Sequence, residues 1–160
     1  MAQDPGQPES PIDARGLRVA VVASRYNPAV MDRLLDGAIA EFARLGGDRG
    51  DLTIIRAPGA FELPVLAARL ARGGEYDVVV ALACIIRGQT THDRVLADAV
   101  AGALMRVAVE TGVPVGFGVL TVEDTAQAEA RAGGAPGDRG NKGAEALAAA
   151  VETARTLASL

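Results

Sequence analysis

The segment from Ile86 to His92 contains side chains that could transfer protons or hold an anion. It reads Ile-Arg-Gly-Gln-Thr-Thr-His and joins an apolar run to a stretch of helical period. Free N–H groups at a helix N-terminus attract phosphate, and threonine hydroxyls add further donors. His92 is the only histidine, which makes it the natural candidate for proton transfer near neutral pH and excludes a histidine-rich metal site. A structural or surface role is the alternative for a lone histidine.

Aromatic residues are scarce, and three of the five follow or approach the ends of predicted strands. The chain has two Tyr, three Phe and no Trp. Tyr26 follows the first predicted strand, Phe61 follows the second, and Phe117 lies toward the end of the fourth. Rings at such positions favour a flat ligand, because stacking adds to the area that is buried. The alternative is that Phe61 and Phe117 only plug the end of the sheet.

The segment Pro58 to Pro64 is a Pro-Gly turn that leads directly into a helix. Such a turn exposes backbone groups to the polar edge of a heterocycle, and Glu62 could accept hydrogen bonds from hydroxyls. Alternatively, Glu62 only interacts favourably with the helix dipole. Arg131 and Lys142 could each neutralise a phosphate, although solvated surface charge is the other interpretation. The glycines after the strands match neither a P-loop nor a dinucleotide-binding pattern.

Short β-branched runs alternate with longer stretches of helical period from Leu17 onward, which predicts an α/β fold with a parallel sheet. The predicted strands are Leu17–Ser24, Leu52–Arg56, Asp77–Ile86 and Val113–Leu120. The predicted helices are one opened by Asn27-Pro28, then Glu62–Arg72, Thr90–Glu110, a short one after a capping box at Thr121–Asp124, and Asn141–Ser159. In the third helix we expect seven residues to face inward: Val95, Leu96, Ala99, Val100, Ala103, Leu104 and Val107. Gly133–Gly140 is predicted to be a loop.

Composition indicates one globular domain. The chain has 160 residues, 49% of them hydrophobic, and a formal charge of -4, so no basic field is available for nucleic acid or an anionic membrane. Residues 1–15 contain three prolines and predict a flexible N-terminal arm before a domain over 16–160. We expect no membrane span, no signal peptide and a cytoplasmic location. Cys84, the only cysteine, is expected to be a small buried core residue.

Five segments together resemble the 6,7-dimethyl-8-ribityllumazine synthase family in order and spacing, over about residues 17 to 158. They are Arg25-Tyr26-Asn27, Pro58 to Pro64, Ile86 to His92, Phe117 to Thr121, and Asn141-Lys142-Gly143. The resemblance implies a three-layer αβα sandwich of the flavodoxin-like kind with a four-stranded parallel sheet. It also implies condensation of 5-amino-6-(D-ribitylamino)uracil with 3,4-dihydroxy-2-butanone 4-phosphate, the penultimate step of riboflavin biosynthesis.

The resemblance also assigns roles to individual residues. His92 would transfer protons, and a pocket for the pyrimidine would be formed by Tyr26, Asn27, Ala60, Phe61, Glu62, Cys84, Ile85, Ile86 and Phe117. The phosphate would be bound by Gln89, Thr90, Arg131 and Lys142. Phe117 and Arg131 would come from a neighbouring subunit of a homopentamer or a higher assembly, so the active site would lie at a subunit interface. No metal and no organic cofactor are implied.

One departure from the family pattern keeps alternatives open. Relatives usually have an aromatic residue directly after the histidine and another two residues later, whereas this chain has Asp93-Arg94-Val95. A catalytically weakened paralogue that binds lumazine or flavin, or that forms a shell, is therefore one alternative. A riboflavin synthase of the archaeal type, which shares the fold, is the other.

Overall fold

The computed structural model describes residues 6–8, 11–134 and 140–160. The strands are β1 (Val19–Ser24), β2 (Leu52–Ala57), β3 (Val78–Ile86) and β4 (Val115–Val122). The helices are α1 (Pro28–Arg44), α2 (Leu63–Arg72), α3 (His92–Thr111), α4 (Thr125–Ala132) and α5 (Lys142–Ser159). Two short 3₁₀ turns, Arg49–Asp51 and Ala60–Glu62, precede β2 and α2. The predicted loop at Gly133–Gly140 lies largely outside the described residues.

The four strands form one parallel sheet in the order β2-β1-β3-β4. All six residues of β1 and the first eight of β3 are buried, as expected for central strands with both faces covered. Strand order reverses between β1 and β3, which is the switch point of a flavodoxin-like fold. The predicted fold class is therefore confirmed.

Helices cover the sheet in two layers, each with its own set of buried side chains. On one face α1, α4 and α5 pack around Phe42, Leu34 and Leu147. On the other face α2 and α3 pack around Leu63 and Leu104. The three-layer arrangement leaves the C-terminal ends of the strands free of helices, so the loops there can form a site.

The bounds of the strands agree with the prediction to within two residues, and the main difference is at the end of β4. Val113–Leu120 was the predicted strand, but β4 continues to Val122, so Thr121 belongs to the strand and does not cap a helix. The cap is formed instead by Asp124, whose carboxylate accepts from the Gln127 N–H at 2.8 Å. The prediction of a capping box that begins at Thr121 was wrong, because the N-cap lies three residues later, at Asp124.

Helix α3 has apolar residues on two faces, and only one of them packs against the sheet. Val100, Leu104 and Val107 are buried as predicted, but Val95 is 66% exposed and Ala99 is also exposed. The prediction that these two residues face inward was wrong. Among the described residues, none of the helices, α3 included, has the length and apolar content needed to cross a membrane.

The end of the N-terminal segment lies against the domain. Ala14 is fully buried and donates its backbone N–H to the Leu45 carbonyl at 2.9 Å. The Arg155 guanidinium on α5 donates to the Asp13 carbonyl at 2.7 Å. The arm was predicted over residues 1–15, of which 1–5 and 9–10 lie outside the described residues. The last residues of this segment pack with the domain predicted over 16–160.

Candidate active site

A cavity of about 580 Å³ opens at the C-terminal ends of β1 and β3, between the segment before α2 and the first turn of α3. This is where a flavodoxin-like sheet is expected to bind ligands. Ten of the residues predicted from the sequence line it: Tyr26, Asn27, Ala60, Phe61, Glu62, Cys84, Ile85, Ile86, Thr90 and His92.

The end of β1 is fixed by polar contacts that orient Tyr26. The buried Ser24 hydroxyl accepts from the Tyr26 N–H at 3.2 Å. Asn27 adopts a left-handed conformation (φ 57°), which asparagine tolerates better than most residues. Its side-chain amide does not cap α1 but donates to the Cys84 carbonyl on β3 at 2.9 Å. The Tyr26 side chain remains 69% exposed at the mouth of the cavity.

Gly59 brings the tyrosine ring and a carboxylate close together at the turn after β2. A β-carbon built at residue 59 would lie 3.1 Å from Glu62 Oε2 and 3.5 Å from a ring carbon of Tyr26. The Glu62 oxygen therefore approaches this backbone more closely than most side chains at position 59 would allow, and the Tyr26 ring lies at ordinary contact distance. Phe61, next to Glu62, is also 69% exposed. Because it is so exposed, Phe61 does not plug the end of the sheet.

The end of β3 contributes an apolar wall, and the start of α3 contributes polar groups. Burial raises the pKa of the Cys84 thiol to about 11, so the thiolate that nucleophilic chemistry requires is not available near neutral pH. The Thr90 hydroxyl accepts from the His92 N–H at 3.3 Å, which fixes the entry into α3. The His92 side chain itself is exposed. A ligand in the cavity can therefore reach the imidazole.

Four predicted residues lie elsewhere. Gln89 is exposed in the turn before α3. Phe117, Arg131 and Lys142 line a second, larger groove of about 1270 Å³ that runs along β4 and α5. Phe117 is the third residue of β4 and not near its end, as was predicted, and it is 50% exposed. One chain alone does not bring these three residues to the cavity that contains His92.

The groove residues have fixed surroundings. The Arg131 guanidinium donates to the Gln127 carbonyl at 3.0 Å, and Lys142 forms an ion pair with Glu145 at 2.6 Å. The side-chain amide of Asn141, between α4 and α5, has hydrogen-bond partners for both its nitrogen and its oxygen. Its amide nitrogen donates to the Arg33 and Ala132 carbonyls, both at 2.8 Å, and its oxygen accepts from Gly143 and Ala144. This Asn141 clamp holds α5 against α1 and α4.

Sequence reasoning did not assign five residues that line the cavity: Ser24, Gly59, Gly88, Asp93 and Leu96. Ser24 and Gly59 were recognisable, because each directly precedes a segment that was predicted to bind ligand. Asp93 was noted only as part of a departure from the family pattern. It does not pair with His92, because adjacent helical residues do not face each other; Asp93 is buried and His92 is exposed.

The cavity can bind a small polar molecule with an aromatic ring and transfer protons to or from it. Tyr26 and Phe61 provide ring faces, Glu62 provides acceptors, and His92 provides a group that can exchange protons. Among the described residues, no group of three or more His, Cys, Asp and Glu side chains is arranged to hold a metal ion.

These features define a flavodoxin-like α/β protein with a small-molecule site at the switch point of its sheet. The family model described as 6,7-dimethyl-8-ribityllumazine synthase matches residues 16–158, and the chain belongs to that family. Three relatives have the same name, which favours a lumazine synthase over a riboflavin synthase of the archaeal type.

Three relatives with this name cover nearly all of the chain. The protein from Kineococcus radiotolerans is 55% identical over 92% of this chain and 89% of its own length. The one from Streptomyces coelicolor is 50% identical over 97% and 94%. The one from Nitratidesulfovibrio vulgaris strain DP4 is 46% identical over 95% and 96%.

Proposed function

We propose that this protein condenses 5-amino-6-(D-ribitylamino)uracil with 3,4-dihydroxy-2-butanone 4-phosphate to give 6,7-dimethyl-8-ribityllumazine. One observation carries the proposal. In a member of this family, the cavity at the switch point combines the Tyr26 and Phe61 rings, the Glu62 carboxylate and the His92 imidazole. This set matches a planar pyrimidine with a hydroxylated side chain and a reaction that needs proton transfer.

The chemistry requires little from the protein beyond placing two reactants together. The substrate amine attacks the ketone and gives an imine after loss of water, phosphate is eliminated, and ring closure with loss of a second water yields the lumazine. Holding both reactants in place converts a bimolecular reaction into an effectively unimolecular one. Tyr26 stacks on the pyrimidine, Glu62 accepts from ribityl hydroxyls, and His92 exchanges protons with the reacting atoms.

The phosphate group is bound, in this proposal, between two copies of the chain. Gln89 and Thr90 belong to the turn before α3, where N–H groups of a helix N-terminus are available. Arg131 and Lys142 lie on the groove along β4 and α5. A second copy that presents its groove to the cavity would bring two cations and Phe117 to the site.

We propose that the copies form a homopentamer, alone or within a larger assembly. The unburied face of α3 supports self-association, because Val95, Met105 and Val109 are between 66% and 80% exposed. Their spacing of ten and four residues keeps them near one side of the helix. Apolar patches of this kind usually mark an interface. Five-fold symmetry itself is what the family resemblance implies.

The activity is tested by incubating the purified protein with both substrates and following the absorbance of the lumazine. Steady formation of the lumazine supports the proposal, and its absence with a correctly assembled protein contradicts it. A paralogue that only binds lumazine would bind the product without forming it. A riboflavin synthase would instead consume the lumazine and form riboflavin.

The shared site is tested by mixing two inactive chains. One chain has Glu62→Ala with His92→Asn, and the other has Arg131→Ala; they are unfolded together in equal amounts and refolded. If each site takes its two halves from different subunits, about a quarter of the sites in randomly mixed rings are intact. Activity near a quarter of the parental value supports the proposal. Activity no greater than the average of the two variants contradicts it.

A further inference from the structure

Asp93 has an unusual environment for a charged residue. It is 9% exposed, and Ser24 is the other buried polar or charged residue in the described part of the chain. The Ser24 hydroxyl is bonded to the Tyr26 N–H. The Asp93 carboxylate, by contrast, makes no hydrogen bond and no ion pair with any described residue. It lines the cavity beside Leu96 and His92.

The Asp93 oxygens retain access to the open space of the cavity. Among the described residues, every side-chain nitrogen or oxygen that is completely shielded has a hydrogen-bond partner. Since Asp93 has none, its oxygens are not completely shielded, and the residue lines the cavity. Asp93 is therefore a nine-tenths buried residue whose carboxylate has no partner in the described part of the chain and keeps some exposure where a ligand would lie.

The surroundings of Asp93 compensate its charge only in part. It lies in the first turn of α3, where the helix dipole favours a negative charge. The Arg87 guanidinium is engaged by Glu123 at 2.6 Å. That hydrogen bond is the main reason that the pKa of Arg87 is raised, and Asp93 contributes less. A buried carboxylate without a close partner destabilises a fold, so a donor from outside the chain explains its place here.

We propose that Asp93 is a substrate-binding residue: its carboxylate accepts a hydrogen bond from an N–H or O–H group of the pyrimidine substrate and keeps anions out of that end of the cavity. The inference rests on the proposed function. The ribitylamino-pyrimidine is rich in donors and carries no phosphate, so two carboxylates, Glu62 and Asp93, suit it. The same charges repel the phosphate of the second substrate and direct it away from the pyrimidine subsite.

The test compares Asp93→Leu and Asp93→Asn with the parent and with Asp98→Leu, a matched change at an exposed aspartate of the same helix. Each assembled protein is titrated with the pyrimidine substrate alone in a calorimeter, and its melting temperature is measured. Asp93→Leu should bind about 10-fold to 100-fold more weakly, the range for a hydrogen bond to a charged group. It should melt at the same or a higher temperature, because an uncompensated buried charge has been removed. Asp98→Leu should bind normally.

Asp93→Asn keeps the shape of the side chain and removes its charge, so this variant tests the proposal even if the leucine variant does not fold. Inorganic phosphate should compete with the pyrimidine in this variant and not in the parent. Parental affinity in both Asp93 variants, or no competition by phosphate in Asp93→Asn, would overturn the proposal. Failure of the parent itself to bind the pyrimidine would instead refute the proposed function.

Discussion

The Asn141 clamp offers the most stringent test of how α5 is held. Replacing Asn141 by Ala removes four hydrogen bonds: two donated to carbonyls of α1 and α4, and two accepted from the first turn of α5. Each bond contributes about 1 kcal/mol, and loss of a helix cap alone costs about 0.5–2 kcal/mol. We therefore expect Asn141→Ala to lower the free energy of unfolding by about 2–4 kcal/mol.

Asn141→Asp separates the two halves of the clamp. Aspartate caps helices as well as asparagine does, so the bonds from Gly143 and Ala144 can persist. The second carboxylate oxygen, however, cannot donate to the Arg33 and Ala132 carbonyls and lies 2.8 Å from them in the parental geometry. The expected loss is again about 2–4 kcal/mol, because two bonds disappear and like partial charges meet. Parental stability of this variant would refute the clamp.

Gly37 on α1 provides a double-mutant cycle. A β-carbon at this glycine would overlap the Asn141 amide, so Gly37→Ala should destabilise the parent. In the Asn141→Ala background the overlap is gone, and the better helix propensity of alanine should stabilise by about 0.5–1 kcal/mol. Urea unfolding followed by circular dichroism, at one protein concentration, measures all four chains. If the two substitutions change the free energy of unfolding additively, Gly37 and Asn141 do not make the close contact that the structure shows.

Three further outcomes are expected. Tyr26→Ala should weaken pyrimidine binding in calorimetry by about 1–3 kcal/mol without loss of stability. The control Tyr76→Ala, at a tyrosine that hydrogen-bonds Thr53 far from the cavity, should bind as the parent does. Equal affinities of Tyr26→Ala and the parent would exclude stacking. His92→Asn should slow turnover by about 10²–10⁴, or less where solvent substitutes, and a parental rate across pH 6 to 8 would refute its role. Burial raises the pKa of the Cys84 thiol from 9.0 to about 11. The stability that the buried thiol contributes to the fold is therefore present below pH 9 and is lost between pH 9 and 11, where the unfolded chain has released the proton and the folded chain has not. The urea midpoint of the parent minus that of Cys84→Ala should therefore be smaller at about pH 10.5 than at about pH 8, and a constant difference would contradict this.

The fold could be predicted because local pattern and global packing agree in most elements. The central strands are continuous apolar runs, buried on both faces, and the helices between them have one apolar stripe. Asn27 shows the limit of this reasoning. An asparagine before a proline indicates a helix N-terminus, and α1 does begin there. Its side chain nevertheless bonds Cys84 on another strand, which sequence neighbours cannot reveal.

Helix α3 could not be assigned a single inner face from sequence. Its apolar residues lie around most of the helix, so periodicity predicted seven inward-facing residues. A single contact surface with the sheet has room for fewer side chains than that. Packing against β3, β4 and α2 uses the side of Val100, Leu104 and Val107. Val95 is left exposed on the other side. A pattern that serves two interfaces cannot by itself show which one belongs to the single chain.

The candidate site was predictable where it follows the strands and not where it depends on a second surface. Residues after parallel strands converge at one edge of a sheet, so Tyr26, Glu62 and His92 were expected together and line one cavity. Arg131 follows β4 through a further helix, and no rule of chain order fixes the direction that it faces. Its position on the groove with Lys142 is a product of how α4 and α5 pack.

Two groups of residues that break the usual rules of burial have different consequences. Tyr26 and Phe61 are exposed rings and Asp93 is a buried carboxylate, and all three line the cavity. Val95, Met105 and Val109 are exposed on α3. Such exceptions are expected where a protein binds something else. Substitutions in the first group should change ligand affinity while the mass of the assembly stays constant. Polar substitutions in the second group should change that mass first, and activity only because the shared site is then incomplete.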